Sequence, residues 1–548
     1  MDARDVVRAL LREAGIAGRR LRTALRLLIE GPHTLASLVL NSGVDRRTVE
    51  RLVAALGDDL ATTGDHVIIA PQRIEAYREL IDYPRLVETE PADPLGQRLA
   101  AHVDLVERVQ TWISGAPRAR QALDHVPATA QTVVRRALWL DATFDLDEAR
   151  LLCVGDHDLT SLAVARVNPR VTVTVVDVDD ALLAYIDAQN CPSIRCLWSD
   201  LRFGLASGAT GWADLVVTDP PYTPEGVGLF LSRGLQGLRH VERARLVMAY
   251  GFAENHPGLG RNVQQAVTGL RLVYEAILPG FNRYHGAQAI ASRSDLYVLR
   301  PTSRTAPSAD VRNIYTHGAQ SLEAEVPLLA AEVAQAVWVS AAGASGLPVT
   351  VVGPGWPAPS RALASVLGGQ PPAAATGTGV AASLSGDPGG WLVRLLLAVD
   401  APRVAVLVDN NHPDLANQAA QRGLAEAVGS RYRLRFRRST PDPRHAIVEA
   451  DRIDIAELGG AQRVVRGVID RAQGKVGNTW REALIRAAAD DGATLTKNDA
   501  RAHIRAAVPV PALLDEPLIG LPRHRIAELL RVIATTPLPD DRGRNRVS

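Results

Sequence analysis

Lysine is almost missing from this chain: Lys475 and Lys497 are its only lysines, and arginine supplies the other cations. Alongside abundant Ala, Gly and Pro, this reflects a GC-rich coding sequence more readily than a functional demand. Charge of one sign is also lacking. The formal net charge is +1, which excludes a global field drawing the chain to nucleic acid or to an anionic membrane. Cys153, Cys191 and Cys196 are too few for a disulfide framework, and Cys191 and Cys196 have no partners at zinc-ligand spacing. Buried thiols in a reducing compartment are therefore expected. No run approaches eighteen unbroken apolar residues, and Asp2 and Asp5 stand where a secretory leader would carry positive charge before an apolar stretch. The expectation is a cytoplasmic protein with neither a signal peptide nor a membrane span.

At 548 residues, 47% apolar and 22% charged, the composition is that of a globular protein of two to four domains. Residues 151–234 organise it. An apolar run, Leu151 to Val154, ends in Gly155-Asp156-His157-Asp158. A β-branched run from Val171 to Val176 ends in Asp177, and a third, Asp214 to Thr218, ends in Asp219-Pro220-Pro221-Tyr222. Buried strands that each end in a carboxylate fit a doubly wound α/β sheet with its ligand at the carboxyl edge. Ile194 to Trp198, Ala244 to Tyr250, Leu272 to Leu278 and Asp295 to Leu299 read as further strands. Alternation with helices and a late strand pair predict a Rossmann-like, methyltransferase-type, seven-stranded sheet over 151–305.

Around it, residues 1–90 read as a winged helix: helices at Leu21 to Ile29, Thr34 to Asn41 and Arg46 to Leu56, then a hairpin from Leu60 to Ile69. Arg46, Arg47 and Arg51 are its candidate DNA contacts, but Asp45, Glu50, Asp58 and Asp59 dilute their charge, so nucleic acid is not an expected partner. Residues 91–150 read as a helical connector, with Ala128 to Leu140 carrying Arg135 and Arg136. Residues 306–390 read as a linker with an Ala-rich helix, Glu323 to Val337, and a Gly/Pro/Ala-rich segment. Residues 391–548 read as an additional C-terminal α/β and helical region of unassigned role. The last dozen residues are expected to fray. Arg431, Arg433, Arg435 and Arg437 alternate along one strand, which predicts a solvated arginine face. Asp409-Asn410-Asn411-His412 reads equally as a turn or a ligand loop.

The loop Gly155 to Asp158 stands where such sheets approach the methionine part of an S-adenosylmethionine-type ligand. Asp156 and Asp158 would repel a carboxylate there; at ~4 Å and an effective dielectric of ~20 each contact costs about 4 kcal/mol before screening. A decarboxylated donor or a polyamine would be attracted. Helix capping accounts for one of these acids more easily than for both. Asp177 and Asp179 suit ribose hydroxyls, with helix capping, by Asp179 or by Asp180, as the competing role. Asp200, after its strand, suits an adenine amino group. In Asp219-Pro220-Pro221-Tyr222 the two prolines fix a rigid turn. The Asp219 carboxylate and the Pro220 carbonyl can both accept protons from one amine, leaving its lone pair aimed at an electrophilic carbon. That is amine alkylation, with the acceptor left open.

Gly155 to Ala163 (G-D-H-D-L-T-S-L-A), Val176 to Asp179, Asp200-Leu201-Arg202, and Thr218 to Gly234 together resemble the branched-chain polyamine synthases, or N4-bis(aminopropyl)spermidine synthases. Asp124, Thr129, Arg135, Arg136 and Ser292 to Tyr297 fit the same pattern, which covers residues 1–300. The resemblance implies aminopropyl transfer from decarboxylated S-adenosylmethionine to the secondary amine of spermidine, with release of methylthioadenosine and no metal. It implies Asp219, Asp158 and Asp156 as the catalytic acids, Asp219 holding and deprotonating the amine while Asp156 and Asp158 position the cationic acceptor and donor. His157, Pro220 and Tyr222 join them around the acceptor, and Gly155, Asp177, Asp179 and Asp200 lie around the donor. A polyamine is the expected partner, a membrane is not, and a homodimer is left open. His157 departs from the family's Gly-Asp-Asp-Asp loop; it reads either as a base or as a packing substitution. Two alternatives stand beside this: an S-adenosylmethionine-dependent amine or adenine N-methyltransferase, and a non-catalytic winged-helix regulator that senses polyamines.

Overall fold

The computed structural model describes residues 2–15, 18–89, 93–253, 256–308, 314, 328–370 and 377–537. It divides into two compact units: Met1–Val173, Cys191–Ile194 and Ala213–Leu322 form one; Thr174–Asn190, Arg195–Trp212 and Glu323–Ser548 form the other. The frayed C-terminus expected after residue 537 and the start of the helix expected at Glu323 lie outside the described residues.

The first unit opens with helices Ala3–Glu13, Gly18–Glu30, Leu35–Ser42 and Arg46–Leu56. Each of the last two has a side-chain cap: Thr34 accepts from the Ser37 N–H and Asp45 from the Thr48 N–H, relieving N–H groups a helix cannot use internally. The hairpin comes next as β1 (Leu60–Thr63) and β2 (His66–Ile69), paired antiparallel with Thr63 opposite His66. Val7, Leu25, Leu28, Leu38, Leu52 and Ile69 close a core of their own. This is the winged helix expected, preceded by one helix that the expected set of three did not include.

The seven-stranded sheet contains β3 (Arg150–Val154), β4 (Thr172–Asp177), β5 (Ile194–Trp198), β6 (Leu215–Thr218), β7 (Arg245–Tyr250), β8 (Leu272–Arg283) and β9 (Arg293–Pro301), in the order β5-β4-β3-β6-β7-β9-β8. β3, β6 and β7 run parallel, while β9 is antiparallel to both β7 and β8. Leu151 to Val154 are at most 1% exposed, as strands covered on both faces require. The expected end of β8 at Pro279-Gly280 is corrected. Pro279 lies on an edge strand, where a missing N–H is tolerated, and the register shifts after Leu278 while pairing resumes at Asn282, opposite Ser294. That extension carries Asn282, Arg283 and Tyr284 toward the end of the sheet.

The second unit holds a five-stranded sheet: β10 (Val349–Val352), β11 (Gly379–Ser383), β12 (Arg403–Asp409), β13 (Tyr432–Arg437) and β14 (His445–Arg452), ordered β10-β11-β12-β14-β13. β10, β11 and β12 are parallel and β14 is antiparallel to both its neighbours. The helix Ala331–Ala342 packs Val333, Val337 and Ala341 against Ala381, Ala405, Leu407 and Ile447. β11, of Gly, Val, Ala, Ala and Ser, lies in the segment read only as Gly/Pro/Ala-rich; small side chains hide a strand whose neighbours supply the bulk.

Expectations for the arginine strand need correcting at one position. Arg431 is 1% exposed and donates to the carbonyls of Leu397 and Val399 and to Asp470, so it belongs to the interior. Arg435 and Arg437 pair instead with the buried Glu449. His412 is likewise buried, 3.0 Å from Asp387, so this part of the Asp409–His412 loop is a structural anchor.

Candidate active site

A buried polar cluster in the first unit is centred on a residue to which the sequence alone assigned no role. Arg136 sits on the helix Ala130–Thr143, whose N-cap is Thr129. Its side chain is 4% exposed, and it reaches Asp158 Oδ2 at 2.7 Å through Nη1 and Asp219 Oδ2 at 2.7 Å through Nη2. Nε donates to Asn282 Oδ1 at 2.7 Å. A planar guanidinium with five donors is the side chain that can tie two carboxylates and an amide together at once.

Asp219 lies directly after β6. Tyr284 donates to Asp219 Oδ2 at 2.7 Å and Tyr222 to Oδ1 at 3.2 Å. The two phenol oxygens lie 3.1 Å apart, and Ser294 Oγ is 2.8 Å from Tyr284. Burial and the nearby Asp219 push both phenols well above the usual tyrosine range, so they remain protonated donors. Asp219 is 22% exposed at its side chain, against 6% for Asp158, and is therefore the carboxylate of the pair that faces open space. Burial, supported by the charge of Asp158 and opposed by Arg136 and Tyr284, raises Asp219 to about 7. Burial also works on Asp158, but Arg136, His157 and the Ala128 N–H outweigh it and hold that carboxyl below its ordinary value. Two adjacent carboxylates driven apart in this way separate a permanent anion from a group able to exchange a proton near neutrality.

The remaining residues of the first loop have defined partners. Gly155 adopts φ 70°, a left-handed conformation that glycine accepts without strain, at the end of β3. Asp156 receives the Ser161 N–H at 3.3 Å on each oxygen, in the first turn of Thr160–Val167. Asp158 accepts from the Ala128 N–H at 2.8 Å in addition to Arg136. Each acid therefore has an internal structural task, and one guanidinium offsets part of the loop's negative charge. Three carboxylates against Arg136 still leave the cluster negative when Asp219 is ionised. His157 stacks on His125 with ring centroids 4.1 Å apart and planes 18° from parallel. His125 is lowered to about 3 by burial, then by His157 and Arg120, so it is a neutral packing partner. Pro220 is buried behind Asp219, and Thr223 caps the helix Pro224–Gly237.

The residues assigned to the nucleoside lie in the second unit. Asp177 ends β4 and accepts from the Asp179 N–H at 2.9 Å, while Asp179 caps the helix Asp180–Ala188 through the N–H groups of Ala181 and Leu182. Asp200 accepts from the Arg202 N–H at 3.0 Å, Arg202 Nε at 2.9 Å, Arg202 Nη2 at 2.5 Å and Trp391 Nε1 at 3.0 Å. Those four bonds fill the roughly four acceptor positions of a carboxylate. An adenine amino group would have to displace one of them.

In the winged helix, Arg46 donates to Glu50 and to Gln288, and Arg51 to Glu13. Two of the three candidate DNA contacts are thus committed within the unit. Cys153, Cys191 and Cys196 are free thiols. Among the described residues, no helix is long and apolar enough to cross a membrane.

The sequence singled out the acids and marked Ser294 only within the segment Ser292 to Tyr297; it assigned no role to Tyr284 or Asn282 and no bridging role to Arg136. The repeated polar residues of Asn282-Arg283-Tyr284 and Ser292-Arg293-Ser294 were the available signal, masked by the Pro-Gly pair before them.

Residues 104–322 match the family model of the branched-chain polyamine synthase A C-terminal domain. Over 218 residues the chain is 32% identical to an uncharacterised protein of Methanocaldococcus jannaschii, covering 39% of this chain and 54% of that one. Over 196 residues it is 29% identical to the N(4)-bis(aminopropyl)spermidine synthase of the same organism, covering 34% and 55%. The chain therefore spans about half the length of the curated relatives it matches. Among solved structures it is similar to the branched-chain polyamine synthase of Thermus thermophilus in complex with N4-aminopropylspermidine and 5'-methylthioadenosine, at 17% identity, 56% of this chain, 97% of that one and a TM-score of 0.38.

Proposed function

From the homology of residues 104–322 with the branched-chain polyamine synthase A C-terminal domain, we propose that the chain is an aminopropyltransferase. It moves an aminopropyl group from decarboxylated S-adenosylmethionine to a polyamine amine of spermidine type. The observation that carries this reading is Asp219: a partly exposed carboxylate raised to about 7, held by Arg136, Tyr222 and Tyr284 at the start of a Pro-Pro turn.

An alkylammonium has a pKa of ~10 and cannot attack until it loses a proton. A carboxylate poised near the working pH is a competent acceptor for it. In the proposed step the amine nitrogen attacks the propyl carbon bonded to the sulfonium. The C–S bond breaks with its electron pair going to sulfur, and methylthioadenosine leaves as a neutral thioether. The amine proton passes to Asp219. Arg136 and the two phenols orient the carboxylate, and Arg136 also allows Asp158 to remain ionised beside it. Asp156, His157 and Asp158 are assigned to the acceptor side. Gly155, Asp177 and Asp179 are assigned to the donor, Asp177 and Asp179 through the ribose hydroxyls.

The experiment is incubation of the full chain with decarboxylated S-adenosylmethionine and spermidine, then mass analysis of the amines. Polyamines heavier by one or two aminopropyl groups support the reading. Unchanged spermidine, or a methylated amine with S-adenosylmethionine as donor, rejects it.

A further inference from the structure

The region beyond residue 322 lies outside the family match, yet within its own compact unit it reaches both loops assigned to the nucleoside. We propose that this C-terminal α/β region completes the donor's nucleoside site, with Trp391 as a positioning residue that, through its bond to Asp200, fixes the loop Asp200-Leu201-Arg202-Phe203 for an adenine nucleoside. This rests on the aminopropyl-donor reading above.

A buried pair anchors the region. His412 Nδ1 accepts the Asp414 N–H, which leaves the ring proton on Nε2, 3.0 Å from Asp387 Oδ2. Asp387 in turn receives the N–H groups of Gly389, Gly390, Trp391 and Leu392 at 2.7–3.1 Å. The N–H groups at the start of the helix Trp391–Ala398 are thereby consumed internally. The glycine loop before this helix is a bracket that holds its first turn in place, not an anion site.

That first turn carries Trp391 and, three residues on, Arg394. A Cβ on Gly390 would lie 2.8 Å from Trp198 Nε1, so glycine is what lets this backbone come up against the end of β5. Trp391 Nε1 donates to Asp200, and its ring lies under the Arg202 guanidinium at 4.9 Å and beside Phe203 at 5.2 Å. Arg394 is 0% exposed, donates twice to Asp180 at 2.8 and 3.0 Å, and sits 3.8 Å over the Trp198 ring. Asp180 is the neighbour of Asp179, the helix-capping residue assigned to ribose.

Burying a guanidinium completely is costly unless its partners are held in place. Here that cost falls at the carboxyl ends of β4 and β5, where α/β sheets bind ligands. A region with a separate task would have no need to supply the fourth hydrogen bond to Asp200.

The test uses the full chain, methylthioadenosine as the titrated ligand, and the variants Trp391→Phe, which keeps a ring but loses the N–H, and Trp391→Ala. Trp391→Phe is expected to weaken methylthioadenosine binding about tenfold, the usual order for losing a bond to a buried charge, and Trp391→Ala to weaken it further. The donor KM should rise in parallel, while kcat and the acceptor KM stay within about twofold of wild type. If Trp391→Ala fails to fold, Trp391→Phe carries the test. Wild-type affinity in a folded Trp391→Phe variant overturns the role of Trp391 and leaves the donor reading intact. A wild-type chain that binds no methylthioadenosine removes the donor reading, and this inference with it.

Discussion

Replacing Asp219 by Asn separates catalysis from stability at one position. The amide keeps the size of the carboxylate and can still accept from Arg136 and Tyr284, but it cannot take a proton from an amine. Losing a general base lowers turnover by about 10²- to 10⁴-fold, so kcat should fall at least about a hundredfold. Methylthioadenosine affinity should change by less than about threefold, because Asp219 is assigned to the acceptor. Stability should move the other way. In the folded chain Asp219 titrates at about 7, whereas an unfolded Asp titrates at ~3.9. The folded state therefore holds this proton more tightly, and its contribution to stability is complete below pH ~4 and lost as pH rises to about 7. With three pH units at ~1.4 kcal/mol each, the wild type gives up as much as about 4 kcal/mol over that window, and Asp219→Asn gives up none of it at this site. Thermal unfolding of both proteins at pH 5 and pH 8 measures the difference. The variant's midpoint should gain several degrees on the wild type between the two pH values. A gap between the two proteins that is the same at pH 5 and pH 8 would show that Asp219 is not held protonated by its surroundings, and the base assignment would go with it.

The same cluster sets three further outcomes. The rate of the wild-type chain should fall below pH about 7 with a slope of one proton, as Asp219 takes up the proton it must otherwise remove from the amine; a flat profile from pH 6 to 8 would contradict this. Arg136→Met should leave Asp158 and Asp219 without their shared counter-charge and cost about 3–5 kcal/mol, read as a large drop in thermal midpoint together with lost turnover. Gly226→Ala should disturb the turn after Asp219, since a Cβ there would lie 2.8 Å from the carbonyl oxygens of both Pro221 and Ile314. Overpacking against backbone costs about 1–3 kcal/mol, detectable as a lower midpoint and a lower kcat.

Asp219-Pro220-Pro221-Tyr222 was legible because its information is local: a buried strand, a rigid turn and a carboxylate are adjacent in the chain. The helix starts at Thr34 and Arg46 were readable for the same reason. Arg136 was visible as a residue but not as a bridge, because its partners lie 22, 83 and 146 positions away. Tyr284 was hidden by Pro279-Gly280, which resemble a strand end and here make an irregularity within an edge strand. β11 was hidden by its small side chains, whose burial depends on neighbours far along the chain. The contact of Trp391 with Asp200 spans 191 positions, and no periodicity announces such a pair.

Which group is transferred is the central question, and the thioether left behind identifies it. With decarboxylated S-adenosylmethionine, spermidine and the full chain, methylthioadenosine should accumulate in step with consumption of the amine, and no S-adenosylhomocysteine should form when S-adenosylmethionine is offered instead. S-adenosylhomocysteine formed from S-adenosylmethionine, with no methylthioadenosine from the decarboxylated donor, would contradict aminopropyl transfer.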